Sequence, residues 1–300
     1  MSELPEQPAD SATDAFVAHR NLLFTVAYEM LGSATDAEDV LQETWLRWVG
    51  VDIGAVLDPR AFLVRITSRQ ALKRLRTLSR RKESYVGPWL PEPLLTAPDV
   101  AEDVELADSV SMAMLLVLET LAPTERAVFV LREVFALDYD EIAHAVDKTP
   151  AAVRQIAHRA RTHVAERRPR GGGSPAEHRA ALQAFQSAVE TGDLQGLLDI
   201  LAPDVVALTD GGGVKHALLR PAVGADRVAR LLAAGWWKRD AERTVEPVQV
   251  NGGPGLLIRV DGKIDGVLAV RVENGHVTGA YHVRNPEKLT GVEREIAVSR

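Results

Sequence analysis

The stretch from Asp147 to Arg168, "DKTPAAVRQIAHRARTHVAERR", carries the side chains with the most legible chemistry. A period of 3.6 puts Val153, Ile156, Ala157, Ala160 and Val164 on one stripe. It leaves Ala151, Ala152, Arg154, Gln155, His158, Arg159 and Arg161 on the other. Gln155 can pair bidentately with adenine, and Arg154 or Arg159 with guanine or a phosphate. Arg161, Arg167 and Arg168, further along, suit phosphates, which hold without specifying.

Such a face works only if something presents it. Tyr139 to Val146 reads as a short helix with Asp138 or Asp140 near its start. "DKTP" reads as a tight turn, with Thr149 as N-cap and Pro150 in the first position of the next helix. Asp147 stands where such turns often have glycine, and aspartate tolerates the left-handed conformation. Short helix, turn and basic second helix make a helix-turn-helix. The competing reading is an ordinary helical hairpin with a basic face.

A second basic run, Arg60 to Lys82, holds nine cations and no acid, while Arg154 to Arg170 holds six arginines, two histidines and the single acid Glu166. The acids gather elsewhere, at Asp36, Glu38, Asp39 and Glu43, and again between Glu92 and Asp108. The net charge of −7 therefore hides separate polyanion-binding and cation-facing surfaces. Around the first acidic group, Ala37, Val40, Leu41, Trp45 and Trp48 form a helical apolar stripe, and at least one of the two tryptophans is expected in the core. Asp58 and Pro59 start the basic helix, which keeps Phe62, Leu63, Ile66, Leu72 and Leu75 for packing.

The 300 residues suggest two or three domains. Residues 1–12 read as disordered, 13–82 as a helical bundle, 83–105 as a Pro-rich acidic linker, and 106–168 as the helix-turn-helix block. Residues 169–176, with Gly171 to Gly173, read as a flexible hinge. Residues 177–290 give two helical pieces (177–191 and 193–202) and then strands at "VVALTD", "GLLIRVDG", "DGVLAVRVENG" and "HVTGAYHVRN". Helices followed by strands predict an α+β domain, and residues 291–300 are left as a tail. With no cysteine, disulfides and thiolate metal sites are excluded, and a reducing cytoplasm is expected. Eight scattered histidines lack ligand spacing, so no metal or cofactor is expected. No apolar run has the length of a membrane span.

Taken together, the motifs resemble the extracytoplasmic-function (ECF, group IV) sigma factors of bacterial RNA polymerase. "SATDAEDVLQETWLRW" resembles their region 2.1–2.2, "DPRAFLVRITSRQALKRLR" regions 2.3–2.4, and residues 123–168 region 4. The resemblance implies that Asp39, Gln42, Glu43, Trp45, Leu46 and Arg47 dock on the β′ clamp helices of core polymerase. Region 4 would meet the β flap and read the minus-35 element through Thr149, Ala152, Arg154, Gln155, His158, Arg159 and Arg161. Arg65, Ser68, Arg69, Lys73, Arg74 and Arg76 would serve the minus-10 element. Many relatives have Asn where this chain has Arg69.

"WLPEP" (Trp89, Leu90, Pro91, Glu92, Pro93), "DGGGVK" (Asp210, Gly211, Gly212, Gly213 to Lys215) and "NPEKL" (Asn285, Pro286, Glu287, Lys288, Leu289) resemble signatures of sigma factors with a fused SnoaL-like domain. That implies a multidomain fold: two all-α sigma domains and an α+β NTF2-like cone around a cavity. The three motifs are expected to regulate the sigma domains in cis. Trp89 and Leu90 serve as the apolar anchor, and the "DGGGVK" region is the preferred receiving surface. Asp210, Asp261, Asp265, His276, Tyr281 and His282 form no spacing-defined catalytic set, so the cone is expected not to be an enzyme. A small-molecule ligand in the cone stays open. So do two other readings, a stand-alone helix-turn-helix regulator and a bifunctional enzyme-regulator.

Overall fold

The computed structural model describes residues 8–82, 84–97, 103–167, 175–233 and 242–299. They fall into two compact units, each with its own core. The first combines residues up to 81 with 117–167 and 297–300; the second combines 82–116 with 168–296.

The first unit is helical. Helix α1 (Pro8–Leu31) turns at Gly32 (φ 67°) into α2 (Ala34–Trp48), where the Ser33 hydroxyl accepts from the Asp36 amide. Helix α3 (Pro59–Lys82) carries the basic run. The expected disorder of residues 1–12 is corrected from residue 8 onward. Ala12 is buried, and its carbonyl accepts from the Trp48 indole at 2.8 Å, which ties the start of α1 to the core. Trp48 is the fully buried tryptophan, tilted on Phe62, whereas Trp45 is half-buried and edge-on to Phe16.

Helix α6 (Pro123–Phe129) continues through a wide π-type turn, α7 is Tyr139–Val146 and α8 is Pro150–Arg167. Asp147 between α7 and α8 has φ 54°, the left-handed cap that glycine otherwise supplies.

The second unit takes in more of the chain than expected. Helices α4 (Val104–Val110) and α5 (Met112–Leu118), read from sequence as part of the helix-turn-helix block, lie largely here. The reason is packing: Met112 and Ala113 share a core with Leu90, Val250, Tyr281 and Leu289. The proposed hinge at 169–176 lies outside the described residues up to 174; α9 begins at Pro175 and ends at Thr191. Helix α10 (Leu194–Ile200) leads straight into β1 (Leu201–Asp210), so the strand starts earlier than the sequence suggested.

After β2 (Ala222–Val223) and α11 (Ala225–Ala233) come β3 (Arg243–Val250), β4 (Gly253–Val260), β5 (Lys263–Glu273) and β6 (His276–Val283). The sheet order is β2-β1-β6-β5-β4-β3, with β1 and β6 parallel and the other pairs antiparallel. Strand β3 was missed because Pro247 interrupts it; proline is tolerated since β3 is an edge strand.

Both faces of this sheet are covered, so "LLI" and "VLAV" read as continuous apolar runs rather than alternations. Leu256, Ile258, Leu268, Val270 and Ala280 pack under the helices with Phe185, Leu197 and Val228. Their neighbours Leu257, Val267, Ala269, Tyr281 and Val283 face the opposite way, onto Leu90, Met112, Leu289 and Val292. The expected free tail is corrected as well: Val292 is in that core, and Glu295 and Ile296 bridge to Leu95.

Candidate nucleic-acid interface and linker anchor

On α8 the apolar stripe buries Val153, Ala157, Ala160 and Val164, while Ile156 is only half-buried. Thr149 caps the helix, its hydroxyl accepting from the Ala152 amide at 3.3 Å. Arg154, Gln155, His158, Arg159 and Arg161 are exposed; Ala152 is half-buried, less open than the pattern implied. The guanidinium of Arg154 lies 5.6 Å from the Tyr139 ring, which orients it. Arg161 is bidentate with Glu133 at 3.2 and 2.7 Å, and Arg159 lies 3.8 Å from Glu125. Arg154 and Gln155 are therefore the groups most available for base edges. Arg168 lies outside the described residues.

Along α3, Arg69, Lys73 and Arg76 are exposed and Arg65 rests over Phe62 at 4.7 Å. Ser68 is corrected: it is buried, and its hydroxyl donates to the Val64 carbonyl at 2.7 Å, so it presents nothing to a ligand. Arg74 turns to α2 instead of outward, bonded to Asp36 (2.6 Å) and Asp39 (2.7 Å). Burial works against its charge, but the two carboxylates prevail and raise its pKa. The acidic face of α2 is thus partly neutralised from within. What remains outward is Gln42, Glu43, Arg47 and Leu46, the last 70% exposed. Arg69 donates to the His144 carbonyl (2.6 Å) and to Asp147 (3.0 Å), so α3 touches the turn of the helix-turn-helix.

The three short motifs of the second unit meet at one carboxylate. Asp210 ends β1 with its side chain fully buried. Its Oδ1 accepts from Tyr85 Oη (2.6 Å) and the Gly212 amide (3.0 Å), and its Oδ2 from the Leu90 amide (2.9 Å) and Lys288 Nζ (2.7 Å). Lys288 Nζ also donates to the Leu90 carbonyl at 2.6 Å, and Asn285 Nδ2 donates to Tyr85 Oη at 2.8 Å. Burial, then Asp210 beside it, keeps the Tyr85 phenol protonated well above its ordinary range. Gly212 has φ 62°, and a Cβ there would come within 2.5 Å of the Asn285 amide, which accounts for glycine at that position.

Leu90, Pro91, Pro93, Leu94 and Thr96 are the buried residues among those described in the linker. Trp89, expected as an apolar anchor with Leu90, is only half-buried. Its ring lies 3.3 Å from Lys82 Nζ and 4.1 Å from Lys288 Nζ, a cation–π site rather than a core position. Lys215 reaches Asp265 (3.0 Å) and not the linker. Pro286 and Glu287 are exposed, and Glu92 is half-buried.

A second attachment, absent from the sequence reading, lies at Asn251. Its amide donates to the Leu94 carbonyl (2.9 Å), its Oδ1 accepts from the Leu94 amide (3.1 Å), and its Nδ2 donates to the Val110 carbonyl (2.9 Å). The Thr96 amide donates to Gln249 O at 3.1 Å. The Asn251-Gly252 pair, both at positive φ, was the available signal: it marks a tight hairpin turn, legible only once "RTVEPVQV" is taken as a strand.

Under the helices, Ala207, Leu208, Thr209, Leu218, Leu231, Leu268, His216 and His282 line an apolar cavity of about 80 Å³. Among the six residues weighed for catalysis, His282 alone lines it. Asp265 is pushed up by burial, but Lys215 and Arg284 outweigh that and hold it ionised below the usual range. Burial, aided by Arg284, pushes His282 down to about 3. The imidazole is therefore neutral in the fold, while the unfolded chain binds its proton near pH 6.5. Stability present above pH 6.5 should be lost as the pH falls toward 3, at about 1.4 kcal/mol per pH unit. Urea unfolding at pH 7 and pH 5 measures this. A His282→Gln chain with the same pH slope would refute it.

The sigma-70 region 2 family matches residues 15–81 and the sigma-70 region 4 family residues 111–164, which defines the class. The second match begins at Ser111, between α4 and α5, in the unit that also holds the sheet. The ECF RNA polymerase sigma factor SigJ of Mycobacterium tuberculosis is 35% identical over 290 residues, covering 92% of each chain. The probable ECF RNA polymerase sigma factor SigI of the same organism is 35% identical, covering 96% of this chain and 98% of that one. The crystal structure of SigJ matches with a TM-score of 0.75 at 32% identity, over 93% of this chain and 99% of that one. The chain belongs to the ECF RNA polymerase sigma factor family. It is an alternative sigma factor whose two sigma domains precede an α+β domain built on the six-stranded sheet. No described helix is long and apolar enough to cross a membrane.

Proposed function

We propose that the cone regulates promoter recognition in cis by holding the linker between regions 2 and 4. The observation that supports this most is the burial of that linker: Leu90 and Leu94 belong to the core of the second unit, tied to Asp210, Lys288 and Asn251. A segment that must follow every rearrangement of the two sigma domains is thus fixed to a third body. In this reading Arg154 and Gln155 read minus-35 bases, with His158, Arg159 and Arg161 nearby. Arg65, Arg69, Lys73 and Arg76 meet the minus-10 region, and Gln42, Glu43, Trp45, Leu46 and Arg47 meet the β′ clamp helices, with region 4 on the β flap. In this reading the chain acts in the cytoplasm, where polymerase works, as a promoter-specificity subunit rather than by turnover of a substrate.

A small uncharged ligand of that cavity is the second reading, favoured by one observation. Strand β1 carries Thr209 to the cavity and Asp210 to the linker anchor, so occupancy on one side of the sheet bears on the strand end that grips the linker on the other.

Run-off transcription with core polymerase is the test. Deleting residues 285–300 removes Lys288 and should raise transcription, and Trp89→Ala should do so more weakly. Deletion from residue 175 should lower it by exposing the apolar linker. Unchanged transcription in all three chains would overturn cis regulation. A shift of duplex promoter by the chain alone, without polymerase, would instead favour a stand-alone regulator.

A further inference from the structure

The first unit contains a cavity of about 440 Å³ lined by Arg47, Arg69, Gln70, Lys73, Arg76 and Asp147, with Leu72 and Ala145 at its base. Arg47 comes from α2, the next four from α3, and Asp147 from the turn of the helix-turn-helix. Four cations thus face one carboxylate. Among the described residues, Arg69 alone of the four makes an ion pair, with Asp147. Gln70 is buried, and with its amide oxygen turned to Arg47 it steadies that guanidinium at the rim.

We propose that this cavity binds a compact oligophosphate, the phosphate chain of a nucleoside triphosphate or of inorganic polyphosphate. Three features define that chemistry. The charge requires an anion, since clustered cations repel one another until one is bound. Arg69, Lys73 and Arg76 stand at i, i+4 and i+7 of α3, spread over about 10 Å of helix axis. A single phosphate cannot touch all three, whereas a chain of linked phosphates can. The volume lies in the range of small-molecule sites, about 300–1,000 Å³.

A ligand seated there contacts region 2 and the helix-turn-helix at once. It holds cations that the proposed promoter contact also needs, so it competes with promoter phosphates. This competition rests on the reading of α3 given above; binding itself does not.

Calorimetric titration of the full chain with inorganic tripolyphosphate, at fixed ionic strength, tests the site without transcription. Saturable one-to-one binding is expected, with orthophosphate much weaker. Lys73→Gln and Arg76→Gln should each weaken it about tenfold, the loss of one charge-assisted hydrogen bond. Asp147→Asn should tighten it, because it removes the one opposing charge and keeps a residue that tolerates the left-handed cap. Arg80→Gln, on the same helix outside the cavity, should leave it unchanged.

Tighter binding of a nucleoside triphosphate than of tripolyphosphate assigns the nucleotide as the source; equal binding assigns the phosphate chain. Absence of saturable binding overturns the proposal. So does equal damage from Arg80→Gln and Lys73→Gln, or no gain from Asp147→Asn. Tighter binding of a single-stranded oligonucleotide with the same number of phosphates also overturns it.

Discussion

Asp210→Ala should release the linker from the cone and cost about 3–5 kcal/mol, the effect of removing one partner from a buried ion pair. The carboxylate takes four donors: a phenol, an ammonium and two backbone amides. Without it, the Lys288 ammonium loses its carboxylate in a site where its side chain is 8% exposed. The Leu90 amide and Tyr85 hydroxyl lose their acceptor as well. Each buried donor left without one adds about 1–3 kcal/mol, so the lower end is a conservative figure. Asp210→Asn should cost less, since an amide oxygen still accepts from Leu90.

Two measurements separate attachment from general unfolding. Hydrogen exchange at the Leu90 and Leu94 amides should accelerate in Asp210→Ala well before the amides of β5 do. A double chain with Asp210→Ala and Lys288→Met should regain part of the loss, because the buried ammonium goes with its carboxylate. A single-variant loss under about 1 kcal/mol, with Leu90 exchange unchanged, would show that the anchor holds nothing.

Much of this was legible from local rules. The helix-turn-helix is written in Thr149, Pro150 and a 3.6-residue stripe, and the structure keeps all three. The "DGGGVK" and "NPEKL" motifs were marked as regulatory by resemblance, and the structure brings them together, with Gly212 against Asn285. The rest depended on partners distant in sequence. Nothing local to Arg74 shows that it closes onto Asp36 and Asp39 rather than reaching outward. Ser68 carries no mark of burial, since a helix hydroxyl bonds back to the carbonyl one turn earlier on covered and open faces alike, as exposed Thr162 does to His158. Trp89 looked like the anchor because tryptophan is the largest apolar residue. The burial went to Leu90, while the ring took the cations Lys82 and Lys288. The edge strand β3 hid behind Pro247, and with it went Asn251, the second grip on the linker.

Arg126→Leu should destabilise the first unit by a comparable amount, about 3–5 kcal/mol, although no motif singled this arginine out. Its side chain is 2% exposed, and its Nε donates to the Glu29 carbonyl of α1 at 3.0 Å. Its Nη1 pairs with Glu119 at the end of α5. One side chain of α6 thus joins the region 4 helices to the first helix of region 2. Leucine restores apolar volume but takes the Arg126 guanidinium away from the Glu119 carboxylate, itself only 18% exposed. Arg126→Lys should recover little, because an ammonium cannot reach two acceptors in the fork geometry of a guanidinium. Urea unfolding gives the magnitude, and the chain carrying both Arg126→Leu and Glu119→Leu gives the cause. If the pair is the source, the double variant should be more stable than Arg126→Leu alone by at least about 1 kcal/mol, since the buried charge disappears with its partner. If the double variant is weaker still, the loss comes from packing around α6 and the ion pair contributes nothing separable. The two grips also differ in kind: Asp210 ties the linker to the cone, whereas Arg126 ties region 4 to region 2. Exchange at Leu90 should therefore stay slow in Arg126→Leu, and the first unit should keep its stability in Asp210→Ala.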